Sequence, residues 1–476
     1  MPIELAILAS FIRQDGDSVA LIDLFGADPT RLSDEGDYYL QGDLLESICW
    51  QDQLNEAECF ILYAISYMSH NELLALIRLL KRLYPKKTIA ILENSQAVTA
   101  YSLPNKADEF LGAGATCLIC GEPYPNWSEI KQYLKSPNLG AAIPNNLVTS
   151  DSIALPVRIA ESINRYPPPA WDLINLNNYW SLPYSHGPKT KKFLPILTSR
   201  GCPYPCDFCV VPETNNRRWR GNKPEDVVDE IIELRDKFGV HDFQVEDLNP
   251  TVQHQRWIRI CELLIERRAG VRFYFVSGTK AETIHIDQVH LYAKAGCRYI
   301  SISPESGSAR LMKIIGKKFD KEHGLKLINA CREHKIKTQA CFLVGHPDET
   351  HDDFLCSKEY LSQMIRSGVD EVAIFVVSPF AGSSLFKKNR IHIENSKALL
   401  SFSPRGREKY EILELRRKIL IRTFVFEKLR KGIDFWFQGI RSVIGVPRTK
   451  MENLPRRIVY IYWLVVKNKI FANNRL

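Results

Sequence analysis

The sequence predicts an α/β protein in three parts. These are a doubly wound parallel-sheet domain, a second parallel sheet or open (β/α)6 partial barrel, and a basic helical extension. Three observations predict it. Short apolar runs alternate with helical patterns over residues 1–140, the alternation resumes over 191–400, and the charge changes character after Ser401. The 476 residues exceed one ordinary core, so two or three domains are expected. With 45% hydrophobic and 25% charged residues the chain is globular, and no disordered or low-complexity tract stands out.

In the first part, "ELAILASFIR" has helical spacing, and Ser18–Leu24, Cys59–Ser66, Thr88–Asn94 and Thr116–Pro123 read as buried strands. "HNELLALIRLLKRLYP" is an amphipathic helix stopped by Pro85. The part opens on a helix where such folds open on a strand, so that strand is absent or the start of the chain is truncated. Residues 141–190, rich in Pro, Asn and Tyr, read as an extended linker lying on a neighbouring domain. Strands of the second part are expected at 193–199, 242–247, 272–278, 299–305, 338–345 and 371–379, with helices between them. In barrels of this kind the chemistry sits at the C-terminal ends of the strands.

The stretch "SRGCPYPCDFCVVP" follows the first of these strands and carries Cys202, Cys206 and Cys209. Three thiolates at C-x3-C-x2-C spacing can cap three corners of an iron–sulfur cubane and leave one iron open. Gly201 lets the loop bend, and Pro203 and Pro205 stiffen it. A structural zinc site needs four ligands, and no Cys/His pair at matching spacing follows. The motif and its place resemble the radical S-adenosylmethionine (SAM) superfamily. That resemblance implies a 4Fe–4S cluster whose open iron binds SAM, reductive cleavage of SAM to a radical that abstracts hydrogen, and an electron donor such as a flavodoxin or ferredoxin.

The same resemblance implies roles at the strand ends. In "QVEDLNP", Glu246 or Asp247 stands where the family places an acidic residue on the SAM amino group. "SISPESGS" resembles the family's G-x-E-S-G pattern, with Ser303 in the glycine position and Glu305 and Ser306 expected near the SAM ribose or carboxylate. Ser277 and Lys280 follow the third strand, and Lys280 stands where relatives often carry arginine. "GHPDET" resembles the G-x-P-x-E-T turn, a structural element.

A doubly wound, Rossmann-like domain ahead of such a barrel resembles the cobalamin-binding subgroup, with "GEPY" (121–124) at its closing turn. The signature D-x-H-x-x-G is missing. His70 is the only histidine before residue 186, and it reads as a helix-start polar residue. Cobalamin, if bound, is expected without a protein imidazole. Cys117 and Cys120 lie three apart on a strand and so face opposite ways, which suits a shared metal poorly.

From Ser401 onward 18 Lys/Arg stand against 6 Asp/Glu, a net +12, while the first 400 residues carry about −4. The cations are interleaved with Phe, Trp and Tyr. Three readings remain open: a surface for an anionic membrane, a helical cap on the barrel, or a nucleic-acid contact, the last being the least favoured. The N-terminus lacks a basic n-region and a cleavage site, and no run of 18 apolar residues occurs. The expectation is a cytoplasmic enzyme with reduced thiols, peripheral to the inner face of the membrane, acting on a small molecule or lipid. Carbon methylation with cobalamin leads. A cobalamin-free cyclisation, rearrangement or C–C coupling comes next. An RNA-modifying enzyme and a non-catalytic Fe–S or corrinoid carrier are the readings of other classes.

Overall fold

The computed structural model describes residues 1–36, 38–50, 52–137, 143–152, 159–161, 163, 166–318, 320–389, 409–430 and 433–473. A small antiparallel ribbon, β1 (Leu32–Asp34) with β2 (Tyr39–Gln41), precedes the first sheet. That sheet runs β3 (Cys59–Ala64), β4 (Thr88–Glu93) and β5 (Cys117–Ile119) in parallel, with β6 (Leu147–Val148) antiparallel at the edge. β6 comes from the stretch read as linker, so the sheet extends past residue 140. Alternate side chains of β4 serve opposite faces. Ile89 and Ile91 pack with Leu74, Ile77 and Phe110 of the helices His70–Leu83 and Ala107–Ala113. Ala90 and Leu92 join Ile7 and Ile130 of the helices Ile3–Gln14 and Trp127–Lys135. Helices thus cover both faces, as a doubly wound sheet requires.

One expected strand does not form. Ser18–Leu24 runs as coil into a short helix at Leu24–Ala27. It lines a cavity of about 530 Å3 together with Cys59–Leu62 of β3 and with Leu5, Leu8 and Ile12. Apolar residues make a strand only where a ladder takes their backbone groups, and among the described residues β3 pairs with β4 alone.

The second sheet has the order β7 (Leu194–Ile196), β10 (Asp242–Val245), β11 (Arg272–Thr279), β12 (Cys297–Glu305), β13 (Lys337–Val344), β14 (Glu371–Val376). All neighbours are parallel and, among the described residues, β7 and β14 are the two edges, so this is an open six-stranded sheet with the consecutive strand order of a partial barrel. Between β7 and β10 a two-residue ribbon, β8 (Ser199–Arg200) with β9 (Arg220–Gly221), holds the cysteine loop. The crossover helices start and stop on local signals. Pro224 opens Pro224–Phe238, and Gly239 ends it at φ +61°. Thr350 and Asp353 form a capping box before His351–Ser367.

The tail is helical at Tyr410–Arg430, Ile433–Ile444 and Leu454–Asn473, while the expected boundary at residue 400 lies outside the described residues. Its first helix packs on His351–Ser367 and sinks Leu420 and Phe424 into the main core. The turn before its last helix enters the barrel. Lys450 Nζ donates to the Val276 carbonyl at 2.7 Å, and the Met451 amide donates to Glu371 Oε2 at 2.5 Å. These parts of the tail are a cap.

Candidate active site

The cysteine loop leaves β8 through Gly201 at φ +76°. A Cβ there would lie 2.1 Å from the Arg218 carbonyl oxygen, so only glycine fits. The loop is pinned from several sides. The Asp207 amide donates to the Ile315 carbonyl at 3.0 Å, the Leu385 amide donates to the Asp207 carbonyl at 2.8 Å, and His346 Nε2 lies 3.1 Å from Asp207 Oδ2. His346 belongs to "GHPDET". In that turn Glu349 accepts from the Gly345 amide at 2.9 Å and from Arg416 of the tail at 2.6 Å, as suits a structural element.

Cys202, Cys206 and Cys209 are each partly exposed on this loop. Burial pushes the Cys206 thiol up to about 11, against the pull of nearby Lys317 and Lys280. Among the described residues no three Cys, His, Asp or Glu side chains converge on one metal position. Three thiolates that cap three different irons of a cubane do not need to converge. Cys117 and Cys120 are buried in the first sheet.

The strand ends divide into two sets. Glu246 Oε2 meets His186 Nδ1 at 2.6 Å, and Ser277 Oγ donates to the Glu246 carbonyl at 3.4 Å. Burial raises the Glu246 pKa, but His186, the chain N-terminus and Lys450 outweigh it and hold the carboxyl below its ordinary value. Glu305 sits at φ +60° and pairs with Lys317 Nζ at 2.7 Å. Lys280 Nζ pairs with Glu282 at 2.8 Å and lies 5.4 Å above the Tyr204 ring of the cysteine loop. Ser303 Oγ donates to the Gly278 carbonyl at 2.6 Å. The other set is consumed internally. Asp247 accepts from the Thr198 amide at 2.8 Å, from Thr198 Oγ1 at 2.7 Å and from Ser199 Oγ, which ties it to the root of the cysteine loop. Ser306 Oγ is 2.8 Å from Ser357 Oγ and accepts from the Ser308 amide at 3.1 Å.

Sequence reasoning missed three residues here. His186 is delivered by the stretch before β7, where Gly187 also donates to Gln244 at 3.2 Å. Lys317 follows the helix Ala309–Ile315. Lys450 comes from the tail. None carries a motif. A lysine twelve residues after Glu305 is a signal only once the turn between them is known.

The two sheets meet at this loop. Gln96 Oε1 accepts from the Gly201 amide at 3.1 Å, and Asn215 Nδ2 donates to the Ser95 carbonyl at 2.6 Å. Arg200 Nη1 donates to Glu4 at 2.9 Å. Glu122 of "GEPY" accepts from Arg220 at 2.6 Å and from the Ala160 amide at 2.8 Å. Both ring nitrogens of His70 are engaged, Nδ1 with Tyr101 at 3.1 Å and Nε2 with Glu109 at 2.8 Å. His70 is a buried packing residue with no free nitrogen for a metal.

An open parallel sheet with three cysteines after its first strand, lysines beside them and carboxylates at its strand ends is an arrangement suited to an iron–sulfur cluster with one open iron. Residues 196–379 match the family model described as Radical SAM superfamily, so the chain carries a radical SAM domain. An uncharacterised methyltransferase of Pyrococcus horikoshii is 22% identical over 282 residues, 58% of this chain and 59% of that protein. The anaerobic magnesium-protoporphyrin IX monomethyl ester cyclase of Cereibacter sphaeroides is 27% identical over 278 residues, 56% of this chain and 42% of its own length. The chain thus spans about half the length of these curated relatives. Among solved structures, the cobalamin-dependent SAM radical enzyme OxsB superimposes with a TM-score of 0.62 at 14% identity, covering 99% of this chain and 78% of that one. The shared architecture is a Rossmann-like sheet joined to a radical SAM barrel.

Proposed function

We propose that this protein is a radical SAM enzyme that functionalises an unactivated carbon of a small molecule or lipid, with C-methylation as the leading reaction. The observation that carries the reading is the cysteine loop: three thiols after the first barrel strand, with Lys317, Glu305 and Lys280 beside them. The donor set fits a 4Fe–4S cluster held by Cys202, Cys206 and Cys209. The cluster, when bound, supplies the electron for reductive cleavage of SAM. The chain's own residues bind and orient. Glu246, kept ionised, is placed to accept from the SAM amino group, with Ser277 beside it. His186 holds the Glu246 carboxylate in one orientation. Glu305 and Lys317 form a paired wall next to Cys206, so a carboxylate of SAM meets a cation already in place. Ser303 and Lys280 line the same rim. Asp247 and Ser306 shape the loop and the turn without facing the cosubstrate. An electron donor such as a flavodoxin or ferredoxin completes the reaction.

The methyltransferase and cobalamin-dependent relatives support a corrinoid on the first sheet. If a corrinoid binds there, the engagement of both His70 ring nitrogens supports cobalt held without an imidazole from His70. The second reading is a cobalamin-free cyclisation, rearrangement or coupling. It is favoured by the absence of the D-x-H-x-x-G signature and by the Gln96–Gly201 and Ser95–Asn215 hydrogen bonds, which tie the end of β4 directly to the cysteine loop. No described helix is long and apolar enough to cross a membrane, and no described cysteine is in a disulfide. We place the enzyme in the cytoplasm. Anaerobic reconstitution followed by iron, sulfide, corrinoid and 5′-deoxyadenosine assays on one sample tests the reading. Absence of both iron and 5′-deoxyadenosine would sink it. Cluster and SAM cleavage without retained corrinoid would select the second reading.

A further inference from the structure

The helix Ile433–Ile444 is turned inside out. Gln438 and Ser442 are buried beneath it, and Arg441 is paired with Glu452 at 2.7 Å. Trp436, Phe437, Ile440, Val443 and Ile444 point outward, with Trp436 66% and Val443 83% exposed. Their spacing of i, i+1, i+4, i+7 and i+8 gathers them on one face. The last helix repeats the arrangement. Leu464 is buried, while Ile458, Val459, Tyr462, Trp463 and Val466 are exposed at i, i+1, i+4, i+5 and i+8. The two helices pack on each other, so their outward faces belong to one region of the surface. Soluble proteins rarely leave an apolar patch of this extent uncovered.

Charge indicates what covers it. Residues 430–473 contain nine Lys/Arg and two Asp/Glu. One of the two acids, Glu452, is buried against Arg441. Arg448, Arg456 and Arg457 are exposed beside the apolar faces, and Lys467 lies 5.2 Å from the Trp463 ring. Tyr and Trp at a boundary between apolar and cationic surface suit the headgroup level of a bilayer. Neither helix is long and apolar enough to cross one. We propose that these two helices are a monotopic docking face for an anionic lipid bilayer. The apolar faces enter the headgroup–acyl boundary and the arginines pair with anionic headgroups. The proposal rests on the tail alone and does not depend on the radical chemistry.

Co-sedimentation of the full chain with phosphatidylcholine vesicles, with and without phosphatidylglycerol, tests it. Binding is expected with phosphatidylglycerol, and it should weaken without vanishing as salt rises. Trp436→Ser with Ile440→Ser should lower the affinity about tenfold at all salt concentrations. Arg448→Gln with Arg456→Gln should remove mainly the salt-sensitive part. Both pairs lie on the surface, and their thermal unfolding should match wild type, which separates lost docking from lost folding. Three outcomes would overturn the proposal. The wild type could stay in the supernatant with anionic vesicles. Binding could be unchanged in the Trp436/Ile440 variant. The wild type could run as a dimer that this variant makes monomeric, in which case the face belongs to a second copy.

Discussion

Glu122 Oε2 lies 2.6 Å from Arg220 Nη1, with both side chains buried at the junction of the two sheets. The same oxygen accepts from the Ala160 amide and, at 3.1 Å, from the Tyr166 hydroxyl. Arg200, on the other strand of the β8–β9 ribbon, is 3.8 Å from Glu122 Oε1. Burial alone would raise the Glu122 pKa, but the two arginines hold it below its ordinary value. The closing turn of the first domain therefore grips both strands that hold the cysteine loop. Glu122→Ala leaves two arginines buried with a lost partner and should cost about 3 kcal/mol or more of stability. A drop in unfolding temperature together with poorer cluster loading is expected; an unchanged melt would show that the grip is unimportant.

Cys202→Ala, Cys206→Ala and Cys209→Ala should each abolish a reducible 4Fe–4S cluster and SAM cleavage while leaving the fold intact. Gly201→Ala should do so in part, because its Cβ collides with the Arg218 carbonyl and shifts the loop. Iron and sulfide content with circular dichroism of each variant checks this.

Glu246→Gln should keep the cluster spectrum and weaken SAM binding at least about tenfold, the worth of a charge-assisted hydrogen bond. Glu305→Ala should also weaken it, and should in addition lower the unfolding temperature, because Lys317 would lose its buried partner. Equilibrium binding of SAM to the reconstituted variants is the measurement. Unchanged affinity in both would show that the pocket lies elsewhere.

Glu93 is buried in the first sheet, where it accepts from the Leu103 amide at 2.9 Å and the Gly121 amide at 2.7 Å. Burial outweighs these bonds and raises its pKa to about 7. The folded state then holds a proton that the unfolded chain releases from about pH 4.5 upward. Its stabilising effect is complete below the unfolded value and is lost as pH rises through about 7. Within that window this group should lower stability by up to about 1.4 kcal/mol per pH unit. Glu93→Gln should flatten that part of the profile in denaturant titrations between mildly acidic and neutral pH.

Truncation after residue 408 should give insoluble or partly unfolded protein. It removes Leu420 and Phe424 from the core and deprives Glu371 of the Met451 amide. A soluble, cooperatively melting truncation would contradict the cap that the first tail helix and the Lys450 turn form.

Much of this architecture is written locally. Apolar runs of parallel-sheet type alternating with helical patterns are short-range signals, and they located all six barrel strands and their crossovers; the proline at a helix start, the glycine at a helix end and the capping box seen in the structure are equally local. The C-x3-C-x2-C spacing is equally local, because three ligands on one loop need no long-range partner to be recognised. The strand-end carboxylates were legible as positions. Their tasks were not, since Glu246 and Asp247 are adjacent in the chain. Only packing against Thr198 and Ser199 commits Asp247 to the loop root, while His186, 60 residues upstream, takes Glu246. Ser18–Leu24 has the composition of a strand and forms none, because a strand requires a neighbour and composition cannot supply one. His70 could be read as polar, but Tyr101 and Glu109 decided that neither nitrogen is free. Charge and aromatic content marked the tail as unusual. Tertiary structure alone divided it, sinking Leu420, Phe424 and Lys450 into the barrel and turning Trp436, Val443 and Trp463 outward. Helical periodicity determines which residues share a face, and only contact with the rest of the chain determines which face is covered.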